Sequence, residues 1–494
     1  MPFLKLEFEK RQLVSGESPE SFFERLGSIS ALGGFGEYAF VLRSGQIPDA
    51  ALGNRRDKMN VYLDVGNRYS YVGYDPFMLA ICDNGMLQLK KRRDFLQWKK
   101  NSKLQLIDGD PLQVLRGFLK NAFYKGRSPV PFFGGACGFF SYDYGTRFVG
   151  VTQRVFDDLK LPDFAFGFYD KIIAFDHQAN EVFLLASAET DILARRKLAQ
   201  IKKDLLHQPY PLRTGEIGEL KSNLSFEQYQ QKIAAIHDFL RRGESYQVNF
   251  SQRFSAGSTQ NPWKIFKKLN EVNPAPFSCF FEFGDFQIMS ASPELLLRKR
   301  GSQAETWPIK GTAKRIMDGE ASQHAEDDRQ IAELLSSAKN AAELAMIVDL
   351  ERNDLGKVCE PGSVKVESHR EIQKLPHLIH TFSRVSGKLK PGRDFFDVLE
   401  AIFPGGSVTG CPKKRTMEII DQLEEFKRSV YTGSAGFINF AGDSDLNILI
   451  RTILQKDSRI YFQAGGGILI DSDARAEYEE TLAKARGLFS ALEI

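Results

Sequence analysis

What most limits the fold of this chain is the way its apolar residues are parcelled. They come in short runs, broken by Gly, Asn and Asp, as in Ile172-Ile173-Ala174-Phe175 and Val61-Tyr62-Leu63-Asp64-Val65-Gly66. Runs of that length bounded by turn formers read as β-strands, and they dominate from about 37 to 175. Later runs at 246–254, 277–283, 286–291, 432–440, 446–454 and 459–464 follow one another at hairpin spacing more often than they alternate with helices. The expected architecture is α+β, with antiparallel sheets packed as a sandwich and helices on the outside.

Helical patterns appear at 187–206, at 225–242 closed by Gly243, at about 321–349, from Pro412 through Leu423, and at 474–492. With 494 residues the chain exceeds one ordinary core. The Pro- and Gly-containing stretch 207–218 reads as a linker, so the expected division is 1–215 and 216–494. A net charge of +3, with only short basic clusters such as Lys90-Lys91-Arg92-Arg93, argues against a nucleic-acid partner. No run reaches the roughly 18 apolar residues of a membrane span. Five scattered cysteines without C-x-x-C spacing fit a reducing cytoplasm.

Chemistry concentrates in the second half. In Trp307-Pro308-Ile309-Lys310-Gly311-Thr312-Ala313-Lys314-Arg315, Pro308 fixes φ and Gly311 permits an unusual backbone angle. The stretch therefore reads as a rigid turn presenting Lys310 and Thr312. Further on, Phe403-Pro404-Gly405-Gly406-Ser407-Val408-Thr409-Gly410 is a Gly-rich loop running into a helix N-terminus, which suits an anion. Cys411 and Pro412 follow where a phosphate loop needs Lys and Ser or Thr, so a carboxylate is a better fit than a nucleotide. Gly465-Gly466-Gly467 leaves a strand, either as a row of anion-binding amides or as a β-bulge.

Glu477, Glu480 and Lys484 share a helix face, as a solvated salt-bridged surface or as oxygen ligands for a hard cation such as Mg²⁺. Glu343 lies in an apolar helix face and needs a partner. A metal shared with Glu480 would supply one. Tyr431 and Arg451 flank a strand-turn-strand segment, and Arg is suited to a bidentate grip on a carboxylate. His380, in an apolar strand, is a satisfied core residue or one that orients or protonates a substrate.

These stretches form a recognisable set. Tyr246-Gln247-Val248-Asn249, Ser292-Pro293-Glu294, Pro308-Ile309-Lys310-Gly311-Thr312, Met346-Ile347-Val348-Asp349-Leu350 with Arg352-Asn353-Asp354, Gly406-Ser407-Val408-Thr409-Gly410 and the closing Glu477-Tyr478-x-Glu480-Thr481 together resemble the chorismate-utilising enzymes. The resemblance is dense over 225–494 and looser in the first half, through Arg68-Tyr69-Ser70-Tyr71 and Ser141-Tyr142-Asp143-Tyr144. It implies that Glu343 and Glu480, with Glu477 beside them, hold Mg²⁺. Tyr431, Arg451, the amides of Gly465, Gly466 and Gly467, and Lys484 would contact the two carboxylates of chorismate. Glu294, Thr312, His380 and Thr409 would line its ring.

Gln247 stands where isochorismate-forming members carry a water-activating Lys, which disfavours hydration. Pro-Ile-Lys-Gly-Thr, in place of the Pro-Ile-Ala-Gly-Thr of anthranilate-forming members, implies that Lys310 attacks C2 while the C4 hydroxyl leaves, helped by Mg²⁺ and an acid such as Glu294. Ammonia then enters at C4, giving 4-amino-4-deoxychorismate for para-aminobenzoate and folate synthesis. The alternatives are anthranilate formation with loss of pyruvate, or a non-catalytic anion-binding regulatory module. No Cys-His-Glu glutaminase segment is found, so the resemblance implies a separate glutamine amidotransferase subunit as the ammonia source. Leu42-Arg43-Ser44-Gly45 differs from the tryptophan-inhibition motif whose place it takes, and Cys411 replaces a usual small Ala or Ser.

Overall fold

A computed structural model of the chain describes residues 4–31, 38–44, 68–91, 104–121, 124, 126–209, 212, 214–315, 320–374 and 378–493. The expected strand at 61–66 lies outside them, as do parts of the 207–218 stretch and of the 90–93 basic cluster. Two 12-stranded sheets form the frame, and the strand pairs in both are antiparallel, as in Lys5–Gln12 with Glu181–Ala188 and Gly135–Phe140 with Phe164–Tyr169.

The strand Lys171–Asp176 shows how the sandwich is built. Ile172 and Ala174 point into a core shared with Cys137, Phe139, Ala165 and Phe437 of the facing sheet. Ile173 and Phe175 point the other way, into a core roofed by Pro19–Ala31, Pro262–Val272 and Ala474–Leu492. On the second sheet, Pro111–Asn121, Ala338–Val358 and Phe395–Ile402 cover the outer face. A strand buried on both faces has no polar side, which is why such runs are continuously apolar instead of alternating. Each buried Ile or Phe there contributes about 1.5–3 kcal/mol.

Both sheets draw strands from either side of residue 215. The first joins Ala39–Arg43 to Phe277–Glu282, and the second joins Gly135–Phe140 to Ser434–Asn439. The division at 215 therefore separates two stretches of chain that share both sheets.

Four local expectations are corrected. The helix expected at 321–349 is two, Glu320–Ser336 and Ala338–Val358, because Ser337 leaves helical geometry and caps the second by accepting from the Asn340 N–H. The strand expected at 446–454 is also two, Ser444–Asn447 in the second sheet and Thr452–Lys456 in the first, with the chain crossing between them. The stretch around Lys310 is a strand, Ile309–Lys314, and not a turn. Finally, Gly465, Gly466 and Gly467 neither leave their strand nor bulge; Arg459–Ile468 continues through them, paired in unbroken register with Ser251, Phe250 and Asn249.

Candidate active site

Two crossovers between the sheets lie side by side and carry the first two candidate residues. Phe286–Ser292 of the first sheet passes through Pro293 and Glu294 into Leu295–Arg300 of the second, and Ser444–Asn447 returns to Thr452–Lys456 through Arg451. They are tied together: the Ala291 N–H donates to the Arg451 carbonyl at 3.1 Å, and the Ile448 N–H to the Glu294 carbonyl at 3.0 Å. Arg451 takes φ +52°, a left-handed turn that a non-glycine residue keeps only when its surroundings hold it.

Glu294 is 4% exposed, and its Oε1 accepts from the Ile309 N–H at 3.3 Å. Burial pushes its carboxyl up to about 7, against the opposing pull of the Ser407 hydroxyl, Lys310 and Arg451. Burial likewise brings the Arg451 guanidinium down to about 10, with Glu294 opposing. The Arg451 Nη1 is buried with no hydrogen-bond partner among the described residues. A buried guanidinium N–H left open is suited to an incoming carboxylate.

The second group comes from the edge of the second sheet. Ile309–Lys314 pairs with Leu378–Lys388, and the register slips between Ile309 and Thr312, where Gly311 adopts φ +87°. The slip is a bulge centred on Lys310 and Gly311, a device that re-aims a side chain out of the regular ladder. The Lys310 carbonyl accepts from the Thr381 hydroxyl. Burial and then Lys484 lower the Lys310 ammonium from its ordinary range, while Glu343, Glu294 and Glu480 work the other way.

His380 links this group to the crossover, with Nδ1 2.8 Å from Thr312 Oγ1 and Nε2 3.1 Å from Arg451 Nη2. Because a guanidinium only donates, Nε2 must accept and Nδ1 carries the proton. Burial, followed by the Arg451 charge, holds the ring's proton affinity far below its usual value. The neutral His380 ring thus bridges Thr312 and Arg451.

The third group sits over Gly466. A Cβ on that glycine would meet Glu477 Oε2 at 3.1 Å, Glu480 Oε1 at 3.7 Å and Lys484 Nζ at 3.8 Å, so the helix Ala474–Leu492 lays these three side chains directly over the strand at residue 466. Lys484 Nζ pairs with Glu480 at 2.7 Å and donates to the Gly465 carbonyl at 3.0 Å. Glu477 accepts from Ser472 Oγ at 2.6 Å, and burial, with Glu480 reinforcing, raises its carboxyl.

Among the described residues no three His, Cys, Asp or Glu side chains stand as a ready-made metal cage. Mg²⁺ needs less: it takes one or two carboxylates and fills its sphere with water and substrate oxygens. Glu343 and Glu480 both act on Lys310, and Glu477 and Glu480 repel one another. Carboxylate oxygens are the donors a hard divalent cation takes, and of these carboxylates Glu480 is paired with Lys484.

Thr409 and Tyr431 lie in a neighbouring network instead. Thr409 Oγ1 donates to the Gly405 carbonyl at 2.9 Å, and the ring of Tyr431 is 5.6 Å from the Arg428 guanidinium. Arg428 was not singled out in the sequence, yet it is fully buried and binds the carbonyls of Val408 and Asn249 and the carboxylate of Glu424. Its one sequence signal is the i, i+4 pairing with Glu424. Glu351, also passed over, donates nothing and accepts from the Gly406 N–H at 3.0 Å. The loop amide expected to take a ligand carboxylate is therefore already taken by one from the protein.

The profile of the chorismate binding enzyme family matches residues 82–490. The chain is 36% identical to aminodeoxychorismate synthase component 1 of Bacillus subtilis (strain 168), over 87% of this chain and 90% of that protein. Against aminodeoxychorismate synthase component 1 of Escherichia coli (strain K12) it is 40% identical, over 78% of this chain and 83% of that one. Its fold is similar to the crystal structure of anthranilate synthase component I from Streptococcus pneumoniae TIGR4, with a TM-score of 0.76 and 32% identity, covering 90% of this chain and 97% of that one.

Proposed function

This chain belongs to the chorismate binding enzyme family, and from that membership we propose that it is the synthase component that exchanges the C4 hydroxyl of chorismate for ammonia, giving 4-amino-4-deoxychorismate on the route to para-aminobenzoate and folate. One observation carries the reading: Lys310, half-buried on its bulge, has its ammonium lowered by burial and by a second cation, Lys484, with the raised carboxyl of Glu294 acting on it. A Lys so placed is a neutral amine more of the time, and a neutral amine is a nucleophile. The relatives named aminodeoxychorismate synthase support the choice over anthranilate formation.

In the proposed reaction Arg451, with its open Nη1 and its orientation fixed by His380 and Thr312, grips one substrate carboxylate. Lys484 and the unpaired edge of Gly465, Gly466 and Gly467 receive the other; the pairing of that strand with Thr452–Lys456 ends at Phe462. The Lys310 amine bonds to C2, both conjugated ring double bonds shift one place toward C4, and the C4–O bond breaks as Glu294 gives its proton to the departing hydroxyl, which leaves as water. Ammonia then bonds to C4, both double bonds shift back, the C2–N bond electrons return to Lys310 as its free amine, and the new ammonium at C4 gives a proton back to Glu294. Glu343 and Glu480, with Glu477 nearby, would hold Mg²⁺, which when bound neutralises carboxylate charge and supplies Lewis acidity.

Ammonia is proposed to come from a glutamine amidotransferase subunit. No described helix is long and apolar enough to cross a membrane, and all five cysteines are free, which supports work in the cytoplasm.

The experiment is product analysis by chromatography and mass spectrometry with purified protein, chorismate, Mg²⁺ and an ammonium salt, for the wild type and Lys310→Ala. The expected result is 4-amino-4-deoxychorismate without pyruvate release, and a variant slowed by about 10²-fold or more. Anthranilate and pyruvate from the wild type would overturn the proposal.

A further inference from the structure

Glu351 takes no part in the chemistry just described, yet its position is hard to explain by packing alone. It is 2% exposed, on the helix Ala338–Val358, beneath the Gly-rich loop. Oε1 accepts from the Gly406 N–H, while Oε2 is buried with no hydrogen-bond partner among the described residues. An ionised carboxylate is a costly group to bury with half its lone pairs unused, and an apolar side chain of its size would avoid that cost. What a carboxylate adds is a charge-assisted acceptor for one backbone amide.

That amide opens a single turn, Gly406–Val408, which holds Ser407 toward Glu294 and ends at Thr409. The backbone is pressed against the helix there: a Cβ on Gly406 would meet Leu350 Cδ2 at 2.5 Å and Glu351 Oε1 at 3.1 Å. The geometry points to Glu351 as a positioning residue, acting through the Gly406 amide to hold the turn that carries Ser407, whose hydroxyl bears on Glu294.

The inference rests on the reading of Glu294 as the acid. The charged groups that bear on Glu351 are Lys413 at the start of the helix Lys413–Leu423, Asp354 on its own helix, and Glu294 on the crossover; Lys413 is itself held by Asp354 Oδ2 at 2.6 Å and by the Ile402 carbonyl at 2.9 Å. Burial raises the Glu351 carboxyl to about 7, with Lys413 opposing and Asp354 and Glu294 reinforcing. The repulsion is mutual, so an ionised Glu351 makes Glu294 hold its proton to higher pH.

Two variants separate anchoring from charge. Glu351→Gln keeps an oxygen for the Gly406 N–H and removes the charge, whereas Glu351→Leu removes both. Chorismate consumption, with saturating Mg²⁺ and ammonium, is followed from pH 6 to 9. Glu351→Leu should lose roughly 10- to 100-fold in kcat, the scale of a ~1 Å misplacement, with KM changed by less than about threefold. Glu351→Gln should keep most of its kcat at the acid end, and its alkaline limb in kcat/KM should move to lower pH, because Glu294 now ionises more readily.

A Leu variant equal to wild type at every pH, or a Gln variant as slow as Leu with an unmoved limb, would overturn the inference. If the Leu variant fails to fold, Glu351→Asp decides in its place: it keeps the charge but withdraws the acceptor from the Gly406 N–H, so a kcat lowered where Gln keeps it supports the inference, and an Asp variant as fast as wild type ends it. Consumption is read whatever the product, so anthranilate in the product assay would remove the proposed function and leave this result legible.

Discussion

Two polar regions lie between the same pair of sheets and treat charge in opposite ways. One is a cavity of about 420 Å³ lined in part by Arg43, Arg68, Arg298, Arg300 and Asp445. Its cations are matched: Arg43 with Glu20 at 2.7 Å, Arg68 with Asp176 at 2.8 Å, and Arg298 and Arg300 with Asp445 at 3.0 and 2.8 Å. Burial alone would raise the Asp445 carboxyl, yet the two guanidiniums outweigh it and the carboxyl stays below its ordinary range. In the candidate active site the balance tips the other way. Glu294 is raised and Lys310 and Arg451 are lowered, each driven toward its neutral form because burial exceeds the counter-charge on offer. Paired charges stiffen a fold, while charges left short of partners are available to a substrate.

The comparison breaks most visibly if the acid is removed. Glu294→Gln keeps the shape and an acceptor for the Ile309 N–H but has no proton to give, so kcat should fall by about 10²- to 10⁴-fold with the melting temperature nearly unchanged. Steady-state kinetics with a thermal melt checks both halves. In the paired region the result should invert. Asp445→Asn leaves two guanidiniums facing each other, and since the carboxylate is 22% exposed the loss should be about 2 kcal/mol, below the range for a fully buried pair. Urea titration reads it, with chorismate turnover little altered. The sign with pH follows from the lowered Asp445 carboxyl: its contribution is complete above about pH 4, the unfolded value, and disappears as pH falls through the folded one.

The same contrast explains what the sequence could and could not disclose. Run length and turn spacing announce antiparallel strands, because both are local. Which strands pair is not local, so nothing near 215 reveals that Ala39–Arg43 and Phe277–Glu282 share a sheet. The break at Ser337 is hidden because it follows Ser336 among helix formers and neither looks like a cap until the Ser337 hydroxyl is seen accepting from the Asn340 amide. Lys310, Glu294 and Arg451 stood out as residue types set in unusual company. The role of His380 did not, since only the Arg451 contact decides which of its nitrogens carries the proton. An amide-rich loop declares that it suits a carboxylate, but not that Glu351 of the same chain is that carboxylate.

The finest version of the contrast concerns one cation acting on another. Burial is the larger cause of the lowered Lys310 ammonium and Lys484 the second, so the two are separable by removing Lys484 alone. In Lys484→Met the burial of Lys310 remains, its ammonium becomes easier to keep, and the neutral fraction at a given pH falls. The acid limb of kcat/KM, which requires neutral Lys310, should therefore move to higher pH, with a lower rate than wild type at any fixed pH on that limb. The loss of a substrate contact at Lys484 raises KM at every pH alike and leaves the position of the limb alone, so the two effects part in a pH series. A limb that stays where it is would mean that burial by itself tunes Lys310, and that Lys484 serves only to pair with Glu480 and to meet the substrate.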